Sequence, residues 1–249
     1  FVYDNAPYLT VGLWNGGRTF DLHHFRFSDP NATSFSLVAG DFNSDGIDDI
    51  VYVGGGSNPT WNLAIFEGVA GGYPNSWPTP TGAMLAGPNI SYVGQFFGAQ
   101  GAPALKVSDL NADGHLDIAM VTAFSGDDLY IFTGKGNFTF TTNYYGYPAL
   151  THGKWDANSL SMADFNGDGY TDIVTTIDNL PGFSMQFNDA PNRPGQFYDT
   201  LNYPITPKLG TGSDLRSIGT GDFNRDGVID LVVPDYAAQR VTIYLGHPK

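Results

Sequence analysis

The chain contains no cysteine. That excludes disulfide bonds and any chemistry that needs a thiolate, and it removes cysteine as a guide to compartment. Positive charge is scarce as well. Eleven Lys and Arg stand against 25 Asp and Glu, giving a formal net charge of −14. Such a chain has no basic footprint for nucleic acid or for an anionic bilayer. Apolar residues never run long enough for a membrane-spanning helix, which needs about 18 or more in succession. The signatures of common hydrolases and nucleotide enzymes are missing too: there is no G-x-S-x-G, no H-E-x-x-H and no phosphate-binding loop. The glycines at 54–56 and 71–72 lack the Lys and the helix such a loop requires. Of the five histidines only His23 and His24 are neighbours. In a strand they would point to opposite faces, so they do not form a joint metal site. No catalytic residue and no organic cofactor is assigned.

Glycine (32 residues), proline (16) and aromatics (14%) are plentiful instead, and 41% of the chain is hydrophobic. This composition predicts an all-β chain of short strands and many turns, with enough apolar residues for a core.

One nine-residue pattern occurs four times, starting at 41, 109, 164 and 222: D-[FL]-N-x-D-G-x-x-D, followed by an apolar run. Side-chain oxygens stand at positions 1, 3, 5 and 9, and Gly at position 6 permits the positive φ of a sharp turn. Position 7 varies, as it would if only its carbonyl were used. Hard cations such as calcium take six to eight oxygen ligands, and this spacing supplies them. The predicted ligands are Asp41, Asn43, Asp45, Ile47 and Asp49; Asp109, Asn111, Asp113, His115 and Asp117; Asp164, Asn166, Asp168, Tyr170 and Asp172; and Asp222, Asn224, Asp226, Val228 and Asp230. An EF-hand begins in the same way, but it ends on Glu at position 12 and lies between helices, whereas strand-like residues follow here. Magnesium suits the loop less well, because it keeps its waters and demands stricter geometry. Four bound Ca²⁺ would offset more than half of the net negative charge.

Each repeat reads as four strands. A short strand A leads into the loop (36–39, 104–107, 159–162, 216–219). Strand B leaves it (50–53, 118–121, 173–176, 231–233). Strand C follows (63–66, 129–132, 183–187, 241–245), and a looser strand D comes after a turn, as at 138–142 and 196–199. Four antiparallel strands recurring at 55–68 residues predict β-propeller blades, about four of them, in one domain over 1–249. Insertions at 74–103, 147–158 and 203–215 read as surface loops between D and the next A. The last unit stops after strand C. The N-terminus offers a C-like segment (9–14) and a D-like one (19–27). The expectation is that an N-terminal strand completes the last blade and closes the ring; the alternatives are a larger propeller or pairing with another copy. Asp127, Asp128, Asp178, Asp214 and Asp235, outside the loops, read as turn residues.

The four loops resemble the FG-GAP/VCBS repeat family, found in integrin α-chain propellers and in a fungal propeller lectin. The resemblance covers nearly all of the chain after residue 34. It implies a β-propeller with calcium in the A–B turn of each blade. The family spans adhesion proteins, lectins and non-catalytic domains of polysaccharide-active enzymes, so the fold follows more firmly than the activity. The predicted function is a secreted, calcium-binding carbohydrate-binding or adhesion module, with a glycan or cell-surface glycoconjugate as partner. A catalytic propeller acting on polysaccharide and a structural repeat of an extracellular assembly are the alternatives. A–B turns share one face of a propeller and B–C connections the other. Trp61, Trp77 and Trp155 are assigned to the face away from calcium, where aromatic rings could stack on a sugar.

Overall fold

A computed structural model describes residues 8–14, 16–17, 19–26, 33–55, 60–70, 90–97, 104–122, 128–146, 159–177, 182–204, 217–235 and 239–247. Among them the fold is all-β, with seventeen strands in five antiparallel sheets. The chain divides into two compact units. One comprises Phe1–Ala99 with Gly136–Thr139, and the other Gln100–Lys135 with Phe140–Lys249.

The first unit opens with a hairpin of β1 (Tyr8–Trp14) and β2 (Phe20–Arg26), turned through Gly16 at φ 80°. Its main sheet has the order β3 (Thr33–Gly40), β4 (Asp49–Gly55), β5 (Thr60–Phe66), β6 (Ile90–Phe97). The expected strands A, B and C are therefore present and slightly longer than predicted. Strand D lies where the sequence places only a surface insertion: β6 is inside 74–103 and pairs with β5 from Thr60↔Phe97 to Phe66↔Ile90. Trp61 also moves. It falls within β5, paired with Gly55 and Phe96, and not in the preceding connection.

The second unit repeats the meander. One sheet runs β7 (Ala104–Ser108), β8 (Asp117–Thr122), β9 (Asp128–Gly134), β10 (Phe140–Gly146). The next runs β11 (Leu160–Ala163), β12 (Asp172–Ile177), β13 (Gly182–Asp189), β14 (Arg193–Pro204). The last has three strands, β15 (Gly219–Gly221), β16 (Asp230–Asp235) and β17 (Arg240–Tyr244). Among the described strands β1 pairs with β2, and β17 with β16 alone. The N-terminal segments read as C-like and D-like form the β1–β2 hairpin, which belongs to the first unit. Two of the acids read as turn residues also belong to strands. Asp128 opens β9, and Asp235 ends β16, buried, with Arg240 Nε 3.7 Å from its carboxylate.

Within the second unit the sheets stack face to face. Leu110, Ala119, Val121, Leu129 and Ile131 of one repeat pack on Leu160 and Ile173 of the next. Val174, Phe183 and Met185 in turn pack on Ile218, Leu231 and Val233. Register explains the alternation. Residues one and three places into strand B, with their partners on strand C, look toward the following sheet, and the intervening residues look back. This is why strands B and C read as nearly continuous apolar runs: both faces are covered.

Candidate metal-binding loops and related proteins

The nine-residue loops join A to B in all four sheets, and their internal hydrogen bonding is nearly the same each time. The position-1 carboxylate folds the loop over itself. Asp41 Oδ1 accepts from Asp45 N at 3.1 Å and its Oδ2 from Gly46 N at 2.8 Å. Asp109, Asp164 and Asp222 accept the equivalent pair. The Asn at position 3 accepts from the position-5 amide and donates from its side chain to the position-5 carboxylate, as at Asn111 and Asp113 (3.0 and 2.8 Å). The position-5 carboxylate accepts from the position-7 amide, 2.9 Å for His115 N to Asp113 Oδ1. Gly46, Gly114, Gly169 and Gly227 have φ between 83° and 88°, as the motif predicts.

Position 4 is left-handed as well, at Ser44 (φ 64°), Ala112 (60°), Gly167 (75°) and Arg225 (63°). A non-glycine residue there is strained by roughly 1–2 kcal/mol. The carboxylate at position 1 collects the amides that this turn exposes. The sequence hides this feature, since only one of the four residues is glycine.

The Asp at position 9 differs from the others. Asp49, Asp117, Asp172 and Asp230 are at most 1% exposed, while the loop tips at Asp45, Asp113, Asp168 and Asp226 are exposed. Each buried carboxylate accepts two backbone N–H groups from different parts of the sheet. Asp117 Oδ2 takes Leu110 N and Oδ1 takes Gly134 N, both at 2.8 Å. Asp49 takes Phe42 N and Gly68 N, and Asp230 takes Phe223 N and Gly246 N. This residue therefore clasps the A–B loop to the end of strand C. Burial pushes Asp117 and Asp172 up to about 6. Their backbone hydrogen bonds pull the other way, and the neighbouring loop carboxylates add to the rise. Asp49 is raised for the same leading reason.

The glycine ending strand C is the clasp's other half. A Cβ on Gly68, Gly134 or Gly246 would collide with the carbonyl of Asp48, Leu116 or Ile229 respectively. The third sheet has Asn188 at this place, accommodated by register shifts in β13 on either side of it. Asn188 is fully buried. Its backbone N–H donates to Asp172 Oδ1 (2.9 Å). Its Nδ2 donates to Leu110 O (2.8 Å) in the preceding loop and to Thr171 O (3.2 Å), and its Oδ1 accepts from Gly195 N (2.9 Å). One amide thus ties the second loop, the third loop and the β13–β14 turn together. Asn188→Ala is expected to cost about 2–3 kcal/mol in urea unfolding, because it leaves Leu110 O and Gly195 N buried without partners. A loss under about 0.5 kcal/mol would mean that those groups find water or other partners.

As the side chains stand, no group of three or more His, Asp or Glu among the described residues is gathered closely enough to hold an ion. The carboxylates are turned to backbone N–H groups instead. The donor set still fits a hard cation. It is all oxygen, it sits on a turn fixed by two left-handed residues, and most of the carboxylate oxygens have a lone pair left after accepting one N–H, Asp164 Oδ1 being the exception with two. Of the aromatic candidates, Trp61 stands on β5, and Trp77 and Trp155 lie outside the described residues.

Residues 109–175 match the model of the FG-GAP-like repeat. The match spans the second loop, strands β8 to β11, the third loop and most of β12, and repeats of that kind fold as β-propeller blades. Two integrin α subunits are similar to the chain. Integrin alpha-IIb of Mus musculus is 24% identical over 240 residues, covering 86% of this chain and 21% of its own length. Integrin alpha-PS3 of Drosophila melanogaster is 23% identical over 173 residues, covering 62% of this chain and 15% of its own length. The chain thus spans about a fifth or less of these relatives. Among the described residues no helix is long and apolar enough to cross a membrane.

Proposed function

We propose that residues 1–249 act as one extracellular, calcium-binding propeller domain of the adhesion type, secreted, with a carbohydrate or cell-surface glycoconjugate as its ligand. The observation that carries this reading is the fourfold loop: one oxygen-rich turn, built on the same hydrogen bonds, at the same corner of four successive sheets. Calcium would be held by positions 1, 3, 5 and 9 and the position-7 carbonyl of each loop, with about four ions in all. The kinship with integrin α subunits supports an adhesion role. With the A–B turns committed to the ion, the opposite, B–C side is left to carry recognition.

A sugar ring presents an apolar face and polar edges, which suits an aromatic platform. Trp61, Trp77 and Trp155 are the proposed platforms. On a glycan array the protein is expected to bind in calcium, and Trp61→Ala or Trp155→Ala is expected to lose at least tenfold in affinity with the melting curve unchanged. Array binding that survives both substitutions would remove the tryptophans from the site. Turnover of a polysaccharide in a product assay would replace the binding role with a catalytic one.

A further inference from the structure

At the end of strand C, where the other sheets carry Gly68, Gly134 and Gly246, the third sheet carries Asn188. The clasp to the position-9 Asp uses only a backbone N–H, which glycine supplies equally well. The Asn188 side chain is therefore not needed for the clasp, yet it is fully buried and is accommodated by register shifts. What it adds is a link between two loops. Its Nδ2 donates to Leu110 O, which lies between the predicted ligands Asp109 and Asn111 of the second loop. The same Nδ2 donates to Thr171 O, one residue before the predicted ligand Asp172 of the third loop. Its Oδ1 accepts from Gly195 N and so holds the β13–β14 turn. That turn also lies against the second loop. A Cβ on Gly195, whose φ is 77°, would stand 2.9 Å from Asn111 Cβ. The second and third loops thus share one buried side chain, and no hydrogen bond of that side chain goes to the fourth loop.

Ion binding acts on this link from both ends. As the side chains stand, no three acidic or His residues are gathered at one point among the described residues. A loop must therefore draw its oxygens inward to hold a cation. Doing so fixes the backbone around Leu110 O in one loop and around Thr171 O in the other. Filling the first loop orders Asn188 and the β13–β14 turn, and filling the second finds them already ordered. An ordering cost that falls on one event only makes the other more favourable. Resting on the calcium reading above, we propose that the second and third loops are a coupled pair. Occupancy of either raises the affinity of the other through Asn188, while the fourth loop binds on its own. Such coupling is reciprocal, and its usual size is about fivefold or more in affinity.

The position-6 glycines report each loop separately, because their N–H groups donate to the position-1 carboxylates. In the full chain made with isotope-labelled glycine, the NMR amide signals of Gly114, Gly169 and Gly227 are followed as calcium alone is added. Asp168→Ala, which disables the third loop, is expected to raise the calcium midpoint at Gly114 by about fivefold or more and to leave Gly227 in place. Asp113→Ala is expected to raise the midpoint at Gly169 by the same factor. Asn188→Gly keeps the clasp N–H and gives the third sheet the residue of the other sheets. In that background the two substitutions are expected to lose their effect on each other's loop. A further measurement needs no change at 188: calcium is expected to slow hydrogen exchange at Gly195 N in both the Asp168→Ala and the Asp113→Ala chains. Signals that ignore calcium at all three glycines would overturn the calcium reading and the coupled pair with it. Glycines that titrate, with a Gly114 midpoint indifferent to Asp168→Ala, would overturn the coupling alone. Coupling that survives Asn188→Gly, or Gly195 exchange that ignores calcium, would overturn Asn188 as the link.

Discussion

Asp117→Ala is expected to cost about 3 kcal/mol or more, enough to unfold the second repeat's loop at ordinary temperature. The side chain is buried and accepts from Leu110 N and Gly134 N at 2.8 Å each. Hydrogen bonds to a charged acceptor contribute roughly 1.5–3 kcal/mol apiece, and both donors would be left buried and unpaired. Removing a costly buried charge offsets part of that loss, which sets the estimate near the lower end. Asp117→Asn should recover little, because its amide presents a donor to one of two donors. Asp113→Ala, at the exposed tip of the same loop, is the control. In cation-free buffer it should change the urea midpoint far less, since it loses solvent-exposed bonds only. Equal losses at 113 and 117 would mean that position 9 is no clasp.

That contrast shows what the sequence could and could not convey. The four loops, strands B and C, and the position-6 glycines were legible because each leaves a local mark: an acid spacing, an apolar run, a residue that alone tolerates φ near 85°. The clasp role of position 9 was not, because an Asp that binds an ion and an Asp that pins two amides are written with the same letter. Only its burial separates them. The glycine after strand C belongs to the motif as firmly as the one inside the loop, yet it lies 17 to 19 residues from its partner Asp in the first two repeats. It is needed because a carbonyl from strand B's entry passes too close for any Cβ, and no pattern within one element records that. Asn188 escaped for the opposite reason: it breaks the glycine rule and is rescued by a bulge and three tertiary hydrogen bonds.

Strand order was misread where local signals were weak. β6, Ile90–Phe97, sits in a stretch rich in Gly, Pro and aromatics, and the nearest strand-like run after β5 is far away in sequence. Its place is set by pairing with β5, which is a tertiary choice. In the last sheet three strands are described, β15 to β17, and the N-terminal segments that read as C-like and D-like strands are indeed strands, paired with each other in a hairpin.

Calcium removal is expected to have the largest effect of any single treatment. Each loop binding an ion only in the folded state adds about 2.7 kcal/mol at a hundredfold excess over Kd. For a chain of this size 1 kcal/mol moves Tm by roughly 2–4 °C, so each occupied loop is worth about 5–10 °C. The slope of the pH dependence gives a sharper test than the size of the shift. Without the ion, Asp117 and Asp172 sit at about 6 in the folded chain against the ordinary 3.8. The folded state then holds protons that the unfolded state has released, so stability is greatest below about pH 4 and is lost as pH rises toward 6. With the ion bound, the carboxylate form is the one stabilised. Their folded values drop below the ordinary 3.8, so the stability that the ion adds is lost only as pH falls below about 4. Melting curves between pH 4 and 7 should therefore slope downward with pH in cation-free buffer and stay nearly level in millimolar calcium. The same downward slope in both buffers, with an unchanged Tm at pH 7, would show that these loops close on their own hydrogen bonds and hold no calcium.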